Sequence, residues 1–159
     1  MNHSLKVGIG FGLTSGIITT LGLISGLNSA TDSKAIIIGG IITIAIADAF
    51  SDSLGIHISE ESEGVHSARS IWLSTFFTFL TKFLVAFSFL VPVILFNGLL
   101  SLAVSVLWGM ALLSTFSYFL AKRSNDNVAK VIFEHLFIAI FVILVTHVVG
   151  DYVKTKFNT

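Results

Sequence analysis

The chain reads as an all-α, polytopic membrane protein with five transmembrane helices in a single domain, and three observations lead there. The 159 residues are 54% hydrophobic and only 11% charged, with a mean hydropathy of +0.94. That leaves too little polar surface to coat a soluble globule. The apolar residues fall into five runs, 5–27, 35–58, 70–96, 99–121 and 128–150. Each is long enough to cross roughly 30 Å of hydrocarbon at about 1.5 Å per residue. The links are short and polar: NSATDSK (28–34), EESEGVHSAR (60–69), Asn97-Gly98 and KRSNDN (122–127), so no soluble domain is expected.

The first run reads as a span and not as a cleaved leader. Lys6 is its only basic flank, and Thr14, Ser15, Thr19 and Thr20 interrupt what a leader keeps apolar. Gly8, Gly12, Ser15, Thr19, Gly22 and Gly26 advance by four and three residues, which holds them on one stripe of a helix. Small residues so spaced let helices approach closely in lipid. The Ser15 and Thr19 hydroxyls on that stripe are candidates to line a narrow polar path.

The second run carries two acids inside an apolar span. Asp48 and Asp52 are one helical turn apart, with Ser51, Gly55, Ser59, Ser62 and Glu63 on the same side. An ionisable side chain near the bilayer centre costs roughly 2.5–3.5 kcal/mol on insertion scales, so it is expected to face a bundle interior, a water path or a cation. Carboxylates and hydroxyls are hard oxygen ligands suited to magnesium, manganese or ferrous ions, and paired carboxylates can share a proton. Asp48 and Asp52, with Ser15 and Thr19 opposite and Ser51 and Ser59 in support, form the candidate metal site. The competing reading satisfies both acids with hydroxyls or with Lys82 on neighbouring helices.

The third run holds Lys82, the only basic residue deep in a span, and an ion pair with Asp48 or Asp52 is its expected role. The fourth run is generic. The fifth begins with Glu134-His135 and ends with His147 and Asp151 one turn apart, positions expected to be solvated or interfacial. The acidic link with Glu60, Glu61, Glu63 and His66 reads as a solvated connection, with a weak cytosolic metal collector as the alternative.

Five spans put the termini on opposite sides. With the N-terminus in the cytosol, Lys6, Arg69, Lys122, Arg123 and Lys130 lie inside against Lys34, Lys154 and Lys156 outside, which favours that orientation. In a prokaryote the membrane would be the cytoplasmic one. Formal charge is zero and the nine basic residues are scattered, so no nucleic-acid partner is expected. There are no cysteines, which removes disulfides, thiolate metal sites and thiol catalysis. No HExxH run or spaced Ser-Lys or Ser-His arrangement suggests an enzyme, and no resident cofactor is expected.

Two stretches carry a family resemblance. SGIITTLGLISG (15–26) resembles the first-helix signature of the vacuolar iron transporters, DG(L/I)VTT with a small-residue end, through Gly16, Thr19, Thr20, Leu23 and Gly26. AIADAFSDSLGIHIS (45–59) is similar to that family's second helix through Ala47, Ala49, Ser51, Gly55 and Ser59. Looser matches follow at Thr75-Phe76, Pro92, Glu134 and Gly150. The resemblance implies a homodimer joined through the first helix that moves ferrous or manganous ions out of the cytosol in exchange for protons. The departures are specific. Ser15 stands where the family has an aspartate, Asp52 where it has a methionine, and Ile56 and His57 where it has Glu and Tyr; the long cytosolic metal-binding helices are absent. A membrane scaffold or partner subunit that keeps the fold without transport is the alternative.

Overall fold

A computed structural model describes residues 3–157. Its elements are α1 (His3–Ala30), α2 (Lys34–Glu63), α3 (Ala68–Ser88), α4 (Leu90–Leu95), α5 (Gly98–Ser124) and α6 (Val128–Phe157), with no strand among the described residues. α3 and α4 form one broken span, so five helices are long and apolar enough to cross a membrane. The chain is a multi-pass integral membrane protein by that measure. Each of the five helical stretches has 27 to 30 residues, about 40–45 Å. Their ends therefore project past the hydrocarbon into the headgroup region.

The links are shorter than the sequence suggests because the helices run on through polar residues. The largest correction is the acidic link: α2 continues to Glu63, and the left-handed Gly64 (φ 66°) stops it, its N–H bonding the Glu61 carbonyl. Glu60 is thus a helical residue, and it is buried at 4% exposure instead of solvated. Asn125, also left-handed, ends α5 in the same way through the Ala121 carbonyl.

Pro92 explains the break in the third span. It has no N–H to give the Ser88 carbonyl and its ring crowds that carbonyl, so the helix yields at Phe89 and restarts as α4. The freed region is re-tied by side chains: Trp108 Nε1 donates to Ser88 Oγ (3.1 Å), and Lys34 Nζ donates to the Ile94 carbonyl (2.7 Å) and to Asn97 Oδ1 (3.0 Å).

Buried rows at a four-residue spacing hold the bundle together. They are Ser4, Gly8, Gly12, Gly16 and Thr20 on α1; Ile37, Ile41, Ala45, Ala49 and Ser53 on α2; Ser74, Thr78, Lys82 and Ala86 on α3; Ser101, Ser105, Gly109, Leu113, Ser117 and Ala121 on α5. Rows of small residues are how helices in lipid gain close packing. Several of their hydroxyls bond their own helices, as Thr78 to Ser74 O (2.8 Å) and Ser117 to Leu113 O (2.6 Å) show, whereas Ser4 bonds Ser70 of α3 and the buried Thr20 Oγ1 has no hydrogen-bond partner. Ile17, Leu21, Ile24, Phe89 and Leu113 form a buried core, while many other large apolar residues face outward, Phe50, Trp72, Leu107, Phe133 and Phe141 among them, as expected where lipid is the solvent.

α1 is the central helix, packed against α2, α3, α5 and α6. Its small-residue stripe is divided between two neighbours. A Cβ on Gly8 or Gly12 would meet the α3 backbone at 2.7 Å, whereas Gly22 and Gly26 lie against Val142 and Thr146 of α6. The stripe therefore serves packing within the chain. One side of α1 stays open as a groove of about 560 Å³ between α2 and α6, lined by Thr19, Leu23, Leu27, Ile44 and Val149 among others.

Candidate functional site

Three helices meet at one point, where α2 and α3 bring charged side chains and α1 brings a hydroxyl. Gly12 and Gly16 let α1 lie on the backbone of α3 at Lys82, where an added Cβ would stand 3.2 Å from its nitrogen or 3.3 Å from its carbonyl oxygen. Ser15, between those glycines, then lies beside the lysine head. From the other side, α2 supplies Asp48 and Asp52, which share a helix face because they are four residues apart.

Lys82 is 1% exposed, and its ammonium stands between both carboxylates. Nζ is paired with Asp52 Oδ2 and lies 2.5 Å from Asp48 Oδ2. It also donates to Ser15 Oγ at 2.9 Å, and Ser15 in turn donates to Asp52 Oδ2 at 2.6 Å. Asp52 is therefore well satisfied. Asp48 is not: its Oδ2 is buried and touches the ammonium without an aligned hydrogen bond. The two aspartate side chains keep 28% and 21% exposure, against 2% for the lysine. With all three groups ionised, two negative charges and one positive leave the cluster one net negative charge.

The remaining candidates do not join this cluster. Thr19 gives its hydroxyl to the Ser15 carbonyl on its own helix (2.9 Å) and lines the open groove beside α1. Ser51 is exposed and borders a groove of about 780 Å³ between α2 and α3, with Phe50, Leu54, His57, Trp72 and Phe79. Ser59 is exposed, seven residues beyond Asp52 on the same helix, or about 10 Å along its axis. Of the six expected ligands, the structure thus gathers Ser15, Asp48 and Asp52, and it adds Lys82 in their midst.

The polar positions of the last helix are used for helix ties. His135 Nδ1 meets Ser117 Oγ of α5 at 2.7 Å, and Glu134 pairs loosely with Lys130 at 3.8 Å. Asp151 takes the Ser29 hydroxyl from α1 and lies 3.9 Å from His147.

Fold and site together define a class: a five-span helical membrane protein with a charged Asp–Lys–Asp cluster enclosed by its first three spans. No protein-family model matches the chain, and no curated protein matches it.

Proposed function

We propose that the chain is a carrier of divalent cations of the ferrous or manganous kind, exporting them from the cytosol in exchange for protons through the Asp48–Lys82–Asp52 cluster. The observation that carries the reading is a buried Lys82 ammonium held between two intramembrane carboxylates that keep 28% and 21% exposure, since charges in a span mark ion paths more often than packing. Lys82 acts as the resident counter-cation. Cargo binds Asp48 and Asp52 when the ammonium moves aside, and Ser15 offers a neutral oxygen to either state. The resemblance of 15–26 and 45–59 to vacuolar iron transporters supports the choice of cargo, and replacement of that family's thioether by Asp52 favours harder ions.

The same proposal includes a homodimer through α1, with the second copy lying over its open side between α2 and α6. The chain has no cysteine, so Phe11→Cys places one thiol on an exposed position of α1. Oxidation in native membranes is expected to give a dimer-sized band, while an equivalent thiol at Phe133 on the outer face of α6 should leave monomers; equal cross-linking at both removes the α1 interface.

The decisive test is flux. Proteoliposomes holding the protein are expected to take up Mn2+, and Asp52→Ala to abolish uptake while eluting as an intact particle. Undiminished uptake in that variant rejects the cluster as the cation path.

A second reading draws on the saturation of Lys82, whose contacts with Ser15, Asp48 and Asp52 can tie α1, α2 and α3 into a static scaffold or partner subunit. It expects no flux in the unaltered protein and only a lowered unfolding temperature in Asp52→Asn.

A further inference from the structure

At the end of the bundle where α1 begins and α2 finishes, Glu60 is buried among groups with metal-ligating chemistry. Its Oε1 lies 3.2 Å from His3 Nε2 and its Oε2 3.9 Å from His66 Nε2. One donor atom from each of the three residues falls within 4.8 Å of the others. We propose that His3, Glu60 and His66 form a binding site for a borderline divalent transition metal, with Zn2+ the best-fitting ion, separate from the Asp48–Lys82–Asp52 cluster.

Four features carry this. The donor set is two imidazoles and one carboxylate, which three-ligand zinc sites use with a fourth position left to water. The spacing is already close to that around a single ion, because ligands about 2.0–2.2 Å from a metal stand roughly 3–4 Å from one another. The carboxylate is 4% exposed, and no lysine or arginine pairs with it among the described residues. Its neighbours are the two histidines and Ser74, a fully buried hydroxyl that donates to Oε2 at 3.3 Å. Such a hydroxyl orients a ligating carboxylate from behind. Lastly, the ligands come from distant parts of the chain that the fold holds in register: Ser4, next to His3, is hydrogen-bonded to Ser70 at 2.5 Å, and the His3 and His66 rings stack with centroids 4.5 Å apart.

The exposed Glu63 adds an oxygen 3.3 Å from His66 Nε2, available as a fourth ligand. Eight residues separate Glu60 from Asp52 on α2, about 12 Å of helix. The site therefore stands whether or not the inner cluster carries ions. Two imidazole nitrogens beside one carboxylate make a donor set that prefers zinc to manganese by the usual order of divalent affinities.

The test uses the full chain in detergent, without a histidine tag. Zn2+ is titrated calorimetrically, and Co2+ is added as a coloured substitute whose visible bands report imidazole ligation. One ion per chain is expected at this site, besides any that the inner cluster takes up. His66→Ala and Glu60→Gln should each weaken Zn2+ by more than tenfold and bleach the Co2+ bands, and Ser74→Ala should weaken it about tenfold through loss of orientation. Gly39→Ala, where no atom lies within 4 Å of the added carbon, should change neither readout. His66 lies outside the helices, so His66→Ala decides the matter if Glu60→Gln does not fold. Overturning results are the absence of saturable Zn2+ binding, binding unaltered by His66→Ala, or binding lost only in Asp52→Asn.

Discussion

Lys82→Met is expected to be among the most damaging single changes in this protein, lowering stability in detergent by about 3–5 kcal/mol. The methionine fills similar space but leaves Asp48 and Asp52 facing each other with no cation. The lysine is 2% exposed and both acids are largely enclosed, so water replaces little of what is lost. The loss reflects stranded charges and not an intrinsic strength of the ion pairs, which in buried settings is small against a well-packed apolar substitute. Two consequences can be measured by thermal unfolding. Asp48→Asn alone should be milder, because Lys82 keeps its contacts with Asp52 and Ser15 and no charge is left stranded. Adding Asp48→Asn and Asp52→Asn to Lys82→Met should recover most of the stability. A neutral Lys82→Met, or a triple variant no better than the single, contradicts the arrangement described for the cluster.

The second large effect is expected at Gly150, where α6 crosses α1. A Cβ there would collide with the Gly26 carbonyl oxygen and stand 2.9 Å from Ser29 Cβ. Because the obstacle is backbone, no rotamer change relieves it. Overpacking by one methyl costs about 1–3 kcal/mol in cores that can adjust, so Gly150→Ala should reach the upper part of that range and Gly150→Val exceed it. Gly39→Ala is the matched control on α2, where no atom lies within 4 Å of the added carbon. Unfolding temperatures should separate the two alanine variants clearly. Equal values would mean that α1 and α6 do not meet at these glycines.

The five spans were legible because membrane crossing writes itself in run length: a stretch of twenty apolar residues has few other uses. The ends were less so. EESE at 60–63 looks like a loop by charge density, yet the helix continues through it until Gly64 supplies the left-handed stop. Gly64, three residues after Glu61, is the local signal that extends α2, while the burial of Glu60 follows from tertiary packing. His3 could not be found this way, since it lies 57 residues from Glu60 and nothing local ties them. Asp48 and Asp52 were visible as costly acids, and Lys82 as their natural partner. That Lys82 meets both, with Ser15 alongside, depends on Gly12 and Gly16 setting the approach of α1 to α3, a three-dimensional fact. In projection the α1 stripe is one surface, whereas in the bundle its first half lies on α3 and its second on α6. Ser51 and Ser59 shared a projected side with the aspartates, but one borders an outer groove and the other lies nearer the helix end.

The central position of α1 also bears on how the protein is made. The helix that touches α2, α3, α5 and α6 leaves the ribosome before all four of them, and α6, which closes Gly22 and Gly26, follows the other three. During synthesis α1 must wait in the bilayer with its glycine backbone against lipid while its partners arrive one at a time. Helices in membranes are stable singly before they associate, so this delay is tolerable. It makes the order of assembly run outward from the oldest segment. A nascent chain halted before residue 128 would hold the Asp–Lys–Asp cluster yet still lack one wall of its own core helix.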